Sequence, residues 1–374
     1  MRLVLVYLGA SIPKHFWQSA QHLLDLQSSC PIDIITSSYL PENPIQDPRV
    51  SYFEYLPDPE IKMFLDLLEL DLSFRDGFWR FSLERLFAFT QHHKRFTNEP
   101  LLHIESDMLI LGNFPFARFE KLEKLYWSKV DETRDIAALV FSPTHESSAW
   151  LHDKMLSFVR EIKDIDDMRL LSMISRANQN KVSILPSTPK LDSQLINQNL
   201  EIENKSFRSL CSEFNTFEGI FDPGGIGIWL TGTDPRNSFG VTSKFDFKAM
   251  KNSRTFIDPS RVQFIFDKDS HLSCIEKCAE IPVYSLHIHS KNSSYFKPGF
   301  EVVIEEDVKR SSMGKTKREF SLVILLNLIV HNWEKGTLLR FLSWLPILRM
   351  SKKLQVLVGL KASLRYTRDR LRFK

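Results

Sequence analysis

Cysteine is scarce in this chain, with four residues in 374. So few cysteines in so long a chain do not make a disulfide framework, and we expect a reducing compartment.

Long hydrophobic runs are also missing, because the longest uncharged stretch, FSLVILLNLIVHNW at 320–333, falls short of the roughly 20 residues that span a bilayer. The first residues, MRLVLVYLGASIPK, lack a long apolar core and a small-x-small cleavage site. We interpret them as a buried first strand and not as a signal peptide.

Several common catalytic fingerprints are absent. The sequence contains no G-x-G-x-x-G after a clear strand, no Walker lysine and no G-x-S-x-G, which argues against a dinucleotide fold, a P-loop and a hydrolase of the nucleophile-elbow type. Glycine is sparse, but six of the 13 glycines fall in GIFDPGGIGIWLTGTDPRNSFG at 219–240. Such a concentration indicates a backbone that turns tightly or approaches a ligand closely.

Charge is distributed unevenly along the chain. Residues 309–374 contain 16 Lys and Arg against 3 Asp and Glu, whereas the whole chain has a formal charge of only +3. An acidic body with a basic, Leu- and Trp-containing C-terminal part predicts two regions with different partners. The basic segment is typical of a helix at an anionic membrane surface, and equally of a helical cap with a solvated face.

The order of short apolar runs predicts an α/β fold. LVLVYL at 3–8 and IDIITSS at 32–38 are β-prone and flank a segment of helical spacing, which is typical of a sheet covered on both faces. PLLHIESDMLIL at 100–111 predicts a strand, a polar break and a further apolar run. Further strands are predicted near 135–143, 262–267 and 283–291, and helices near 59–70, 78–96, 147–162 and 166–178. Sheets of this kind bind ligands at the carboxyl ends of their strands.

An acidic pair follows one of these strands. In LLHIESDMLIL, Glu105 and Asp107 are two positions apart, and on an extended chain they would share one face and could hold one cation, or a cation and a ribose hydroxyl. In LHIHSK, His287 and His289 are also two apart and are followed by Lys291. A histidine could complete a metal shell there and the lysine could meet phosphate oxygens. Asp222 and Asp234, which flank the glycine-rich loop, either contact an acceptor or cap a turn.

Taken in order, residues 1–300 resemble the GT-A class of nucleotide-sugar glycosyltransferases. The likeness depends on VYLGAS, on the Arg-bearing helix FWRFSLERLF, on an E-x-D variant of the DxD strand end, and on LHIHSK. FDPGGIGIWLTGTDPRN is also similar to a segment of bacterial polysaccharide glycosyltransferases. The resemblance implies a GT-A, Rossmann-like fold with a central mixed sheet in residues 1–300, followed by a basic helical segment at 301–374.

The resemblance also implies residue roles. Asp107 would bind Mn²⁺ or Mg²⁺, with Glu105 on the donor ribose or as a second metal contact, and His289 or His287 would complete the metal shell. The donor, a nucleotide-diphosphate sugar, would further contact Arg85, Lys291 and the first strand end at Tyr7, Leu8 and Gly9. Glu105 stands where the family has Asp, which lengthens its reach.

An inverting enzyme of this class also needs a carboxylate that takes the proton of the acceptor. Asp222 is the first candidate, followed by Asp167 and Asp234. A retaining enzyme would not need a base in that place, and both reaction types stay open. The implied acceptor is a saccharide or glycolipid in surface polysaccharide or lipopolysaccharide synthesis, which predicts a cytoplasmic protein that contacts the inner face of the membrane peripherally. The rival hypothesis is a nucleic-acid-binding protein that uses the basic tail, but the acidic body and the lack of a nucleic-acid-binding motif count against it.

Overall fold

The computed structural model of this protein describes residues 1–304 with several gaps, which are 10, 27–28, 38–44, 73, 75–76, 199, 201–203, 233–254, 268, 270, 278 and 302–303. The strands, numbered in chain order, are β1 Arg2–Tyr7, β2 Ile32–Thr36, β3 Val50–Glu54, β4 Leu101–Ile104, β5 Met108–Ile110, β6 Leu125–Lys129, β7 Asp135–Ser142, β8 Val182–Ile184, β9 Gln263–Phe266, β10 Leu272–Glu276, β11 Ala279–Val283 and β12 Ser285–His287. The α-helices are α1 Lys14–Leu26, α2 Pro59–Asp66, α3 Phe78–His93, α4 Phe116–Phe119, α5 His145–Glu161, α6 Asp167–Ala177, α7 Asn204–Ser209, α8 Phe214–Phe217 and α9 Gly225–Thr231.

A seven-stranded mixed sheet forms the centre of the fold, in the order β3-β2-β1-β4-β7-β6-β8. The first four of these strands are parallel, β7 is antiparallel to both of its neighbours, and β6 and β8 are again parallel to each other. The predicted α/β fold with a central mixed sheet is therefore confirmed.

Alternate residues of β1 pack on opposite faces of this sheet. Val4 and Val6 belong to one buried cluster with the inner faces of α3, α5 and α6, and Leu3 and Leu5 belong to another with α1. Because side chains alternate along a strand, the continuous apolar run of β1 covers both faces and explains why helices lie on each side.

Two smaller sheets contain the strands from the later part of the chain. β9, β10 and β11 form an antiparallel sheet, and β12 pairs with β5. The pairing of β12 with β5 is antiparallel and places His287 opposite Met108. Since β5 follows the acidic pair directly, this contact brings the histidine motif to the end of β4.

Some predicted boundaries differ from the observed ones. The helix predicted near 59–70 ends at Asp66, and the strand predicted near 283–291 divides between β11 and β12 and ends at His287.

Within the described part of the chain, no helix is long and apolar enough to cross a membrane. The predicted basic helical segment lies almost wholly outside the described residues, and the division at residue 300 stays a prediction.

Candidate active site

Glu105 and Asp107 lie in a tight turn, and the prediction that they share one face of an extended strand is wrong. β4 ends at Ile104 and β5 begins at Met108, and the amide of Met108 donates a hydrogen bond to the carbonyl of Glu105 at 2.9 Å. The turn still directs both carboxylates to the same place, because one oxygen from each lies within 4.8 Å of the other.

β12 positions the histidine motif beside this turn. The amide of Ile288 donates to the carbonyl of Asp107 at 2.7 Å, which continues the contact between β12 and β5. The imidazole Nε2 of His287 lies 3.4 Å from Asp107 Oδ2 and 3.9 Å from Glu105 Oε2. The ring of His289 packs on that of His287 with 4.2 Å between centroids. Of the two predicted histidines, His287 is therefore the one that joins the acids.

The side chains of Glu105, Asp107 and His287, called here the Glu-Asp-His group, fit a divalent cation. One ligand atom of each lies within 4.8 Å of the others, and the three residues are only 9%, 2% and 5% exposed. Within the described residues, Asp107 Oδ1 and His287 Nδ1 are buried without a hydrogen-bond partner. A buried polar atom without a partner is costly. Carboxylates suit Mg²⁺ and Mn²⁺, and imidazole is a ligand of transition metals.

Cationic neighbours keep Asp107 ionised. Lys291 donates from Nζ to Asp107 Oδ2 at 2.5 Å. Burial acts to raise the pKa of Asp107, but Lys291 and His287 outweigh burial and hold that pKa well below its usual value. Conversely, burial acts to lower the pKa of His287, while Asp107 and Glu105 raise it above the usual value. Asp107 is thus an anion beside the ammonium group of Lys291.

Arg85 on α3 connects the turn to the start of α6. Its Nη1 donates to Glu105 Oε1 at 2.6 Å, and its Nη2 lies 3.8 Å from Asp167 Oδ2. Burial raises the pKa of Asp167 to about 7, although the charge of Arg85 acts to lower it. A carboxyl group with a pKa near neutrality can exchange a proton at physiological pH.

All six residues predicted to contact the donor line one cleft, called here the donor cleft. It has a volume of about 490 Å³, and its lining includes Tyr7, Leu8, Gly9, Arg85, Glu105 and Lys291. This volume is in the range of small-ligand pockets. A Cβ on Gly9 would lie 2.9 Å from the ring of Tyr7, so a larger residue there would displace that ring.

Other residues of the donor cleft were missed in the sequence. They include Ser11, His15, Phe81 and Ser82. Phe81 and Ser82 precede Arg85 by four and three positions on α3, so the helical period counted back from Arg85 indicates them. Ser11 and His15 follow the first strand without a recognisable motif.

Asp222 is enclosed by backbone amides, which corrects the expectation that it is the first candidate for the base. Its carboxylate accepts hydrogen bonds from the amides of Gly224, Ile226 and Gly227 at 2.7–2.8 Å and from the amide of His287 at 2.9 Å. It is 0% exposed. These four bonds occupy the carboxylate and tie the start of α9 to β12, so Asp222 organises the site and does not face an acceptor. Asp234 lies outside the described residues.

Of the comparisons with known proteins, the one with solved structures finds similar chains. No protein-family model matches this sequence, and no curated protein matches it. Among solved structures, the chain is similar to the galactosyltransferase LgtC in complex with donor and acceptor sugar analogues, with 9% identity and a TM-score of 0.37 over 50% of this chain and 73% of that one.

Two further similar structures are also glycosyltransferases. GlyE of Streptococcus pneumoniae TIGR4 has 12% identity and a TM-score of 0.34 over 49% of this chain and 44% of GlyE. The bifunctional WbbM has 10% identity and a TM-score of 0.33 over 57% of this chain and 44% of WbbM. TM-scores below 0.5 assign no residue role in this chain.

Proposed function

We propose that this protein is a metal-dependent glycosyltransferase that moves a sugar from a nucleotide-diphosphate donor to a saccharide or lipid-linked saccharide acceptor. One arrangement supports this most directly: Glu105 belongs both to the Glu-Asp-His group and to the lining of the donor cleft. A cation site and the ammonium group of Lys291 at one cleft suit the charge of a diphosphate.

The Glu-Asp-His group would hold Mn²⁺ or Mg²⁺. The bound ion would offset the negative charge that develops on the departing nucleoside diphosphate. The mixed set of two carboxylates and one imidazole favours Mn²⁺ over Mg²⁺, because Mg²⁺ prefers oxygen ligands.

Protein side chains position the donor around this group. Lys291 extends from the end of the histidine motif and can donate to phosphate oxygens. Arg85 is oriented by Glu105 on one side and Asp167 on the other, and its guanidinium can donate to a phosphate or to the donor sugar. Tyr7 lies at the carboxyl end of β1 and offers its ring to the nucleotide base.

We assign the proton-accepting role for an acceptor hydroxyl to Asp167. Asp222 has no free oxygen lone pair directed at the cleft, because backbone amides occupy it. Asp167 lies next to the donor-cleft residue Arg85 and has a pKa of about 7, which suits a general base near neutral pH.

A thermal-shift screen tests the proposal. A panel of nucleotide sugars is added with and without Mn²⁺, and a donor that binds the native state should raise the melting temperature only when Mn²⁺ is present. Asp107→Asn should abolish this shift, whereas Asp153→Asn, which removes an exposed carboxylate on α5, should retain it. The proposal fails if no nucleotide sugar shifts the wild-type transition in the presence of Mn²⁺. Transfer is then assayed with the donor that binds.

The acceptor pathway belongs to the same proposal. We place the transfer in surface polysaccharide or lipopolysaccharide synthesis, with the basic segment from 301 to 374 in peripheral contact with the inner face of the membrane. The support is the sequence similarity of the glycine-rich segment and the charge of the C-terminal part. Binding to vesicles that contain anionic lipid, compared with neutral vesicles, tests the membrane contact. Nothing in the described residues favours nucleic acid.

A further inference from the structure

A second and larger cleft lies at the β8 edge of the central sheet. It has a volume of about 680 Å³ and is lined by residues around β6, from α6, from β8 and from the segment 208–213. β8 is three positions from β4 in the sheet, which is roughly 15 Å at the usual strand spacing. This cleft, called here the β8 cleft, shares no lining residue with the donor cleft.

Three cationic side chains of the β8 cleft form no ion pair with an acidic residue in the described part of the chain. They are Lys124, Arg176 and Arg208. Within the described residues, Lys124 Nζ donates to the carbonyl of Gln179 at 3.4 Å and Arg176 Nε to the carbonyl of Ser172 at 3.2 Å, which are neutral partners. The positive charge of these side chains is therefore available to an anion.

The fourth basic residue of the lining has a structural role. Lys129 donates to Asp135 at 2.9 Å, and the other oxygen of Asp135 accepts from Trp127 and Ser175 at 2.9 and 2.6 Å. Asp135 is 0% exposed. This buried network pairs Lys129 with Asp135, beside the other three cationic groups of the cleft.

Hydroxyl and carboxylate groups complete the lining. Ser183, Ser212, Glu132 and Glu213 lie in the same cleft. Glu213 is held by hydrogen bonds from Tyr126 and Thr216 at 3.3 and 3.1 Å. A carboxylate beside the basic groups disfavours a uniformly anionic polymer such as nucleic acid. No aromatic side chain is among the described residues that line the cleft, so a base would find no ring to stack on.

We propose that the β8 cleft binds an acidic saccharide. The carboxylate or phosphate group of the sugar is held by Arg176, Arg208 and Lys124, since a guanidinium donates two parallel hydrogen bonds to either anion. The sugar hydroxyls donate to Glu213 and exchange hydrogen bonds with the serines. This site does not depend on the transfer reaction proposed for the donor cleft.

Isothermal titration at low salt tests the β8 cleft with four probes, which are galacturonate, mannose 6-phosphate, neutral maltotetraose and inorganic phosphate. We expect one or both acidic sugars to bind at least tenfold more tightly than maltotetraose and than phosphate, and the stronger of the two identifies the anionic group. Arg176→Gln with Arg208→Gln should weaken this binding at least tenfold. Arg176→Lys with Arg208→Lys, which keeps the charge but loses the planar fork, should weaken it less.

A matched control removes the same charge elsewhere. Lys154→Gln with Lys163→Gln lowers the charge by two at exposed positions outside the cleft and should leave binding unchanged. Arg176 and Arg208 are exposed, so the variants should fold, which circular dichroism checks. Equal binding of neutral and acidic sugars, equal binding of phosphate alone, or an equal loss in the control variant would each overturn the proposal.

Discussion

Lys291 donates from its Nζ to the carboxylate of Asp107 at 2.5 Å, and the same oxygen lies 3.4 Å from the imidazole of His287. A lysine ammonium and a divalent cation would thus use the same carboxylate. Lys291 also has a left-handed backbone conformation with φ of 52°, which directs the chain back toward Asp107 after β12 ends.

Lys291→Met should therefore strengthen metal binding and weaken donor binding. The change removes a charge-assisted hydrogen bond that competes for Asp107 and a positive charge that repels the ion, so the affinity for Mn²⁺ should rise about tenfold, which is about 1.4 kcal/mol. Titration calorimetry with Mn²⁺ alone, and then with the donor, measures both effects. Lys297→Met, which removes an exposed lysine nearby, should change neither, and weaker Mn²⁺ binding in Lys291→Met would contradict this reasoning.

The two histidines of LHIHSK should behave differently. His287 supplies a ligand atom to the Glu-Asp-His group, whereas His289 packs on the ring of His287. His287→Ala should lower the affinity for Mn²⁺ by about a hundredfold, and His289→Ala by less than about fivefold. Manganese binding is followed by electron paramagnetic resonance. The reverse order would move the metal site to His289.

Gly227 should tolerate no side chain. A Cβ at this position would lie 2.1 Å from the carbonyl oxygen of His287 and 2.8 Å from Asp222 Oδ2. Gly227→Ala must push β12 away from α9, so we expect a loss of roughly 1–3 kcal/mol in unfolding free energy together with weaker Mn²⁺ binding. Urea unfolding measures the first effect and calorimetry the second.

Gly225 is the matched control for Gly227. A Cβ there would lie 3.6 Å from its nearest neighbour, the carbonyl oxygen of Ile257, which is an ordinary contact. Gly225→Ala should be neutral or slightly stabilising, because alanine is favoured over glycine in a helix. Equal losses in both variants would show that the close approach of α9 to β12 is not the cause.

Asp167 should make stability depend on pH. Burial raises its pKa to about 7, above the ordinary value near 4, so the folded state binds a proton more strongly than the unfolded state between these values. The contribution of protonated Asp167 to the free energy of unfolding is fully present below about pH 4 and is lost as the pH rises through 7. The loss is roughly 4 kcal/mol.

Asp167→Asn isolates this contribution. The variant cannot ionise at position 167, so the difference in unfolding free energy between wild type and variant should shift in favour of the variant from pH 5 to pH 8. Urea unfolding at these two pH values measures that difference. A constant difference would mean that Asp167 has no raised pKa and is a poor candidate for the base.

Much of the fold could be predicted from local sequence. Three patterns each indicate a strand or a helix: the apolar run of β1, the spacing of apolar residues in α3 and the apolar run near 135–143. The spacing of apolar residues along one strand or helix involves only residues that are close in sequence. The donor-cleft residues were also predictable in part, because Tyr7, Arg85 and Glu105 each stand at or beside the end of a recognisable element.

Local pattern could not show the shape of the acidic turn or the surroundings of Asp222. An i, i+2 pair of acids is compatible with a strand and with a turn, and only the hydrogen bond from Met108 to Glu105 distinguishes them. The four amides around Asp222 come from two segments at least 60 residues apart, so nothing near Asp222 in the sequence indicates that its carboxylate is already occupied.

The sequence by itself determined the α/β class and a short set of chemically capable side chains. Both follow from residue type and from the spacing of apolar residues, which involve only residues close in sequence. Tertiary structure decided which of them meet. The antiparallel pairing of β12 with β5 selects His287 over His289 as the partner of Glu105 and Asp107, since the register of a strand sets which side chain faces the neighbouring turn. The same long-range contact brings Lys291 to Asp107 across 184 positions of sequence.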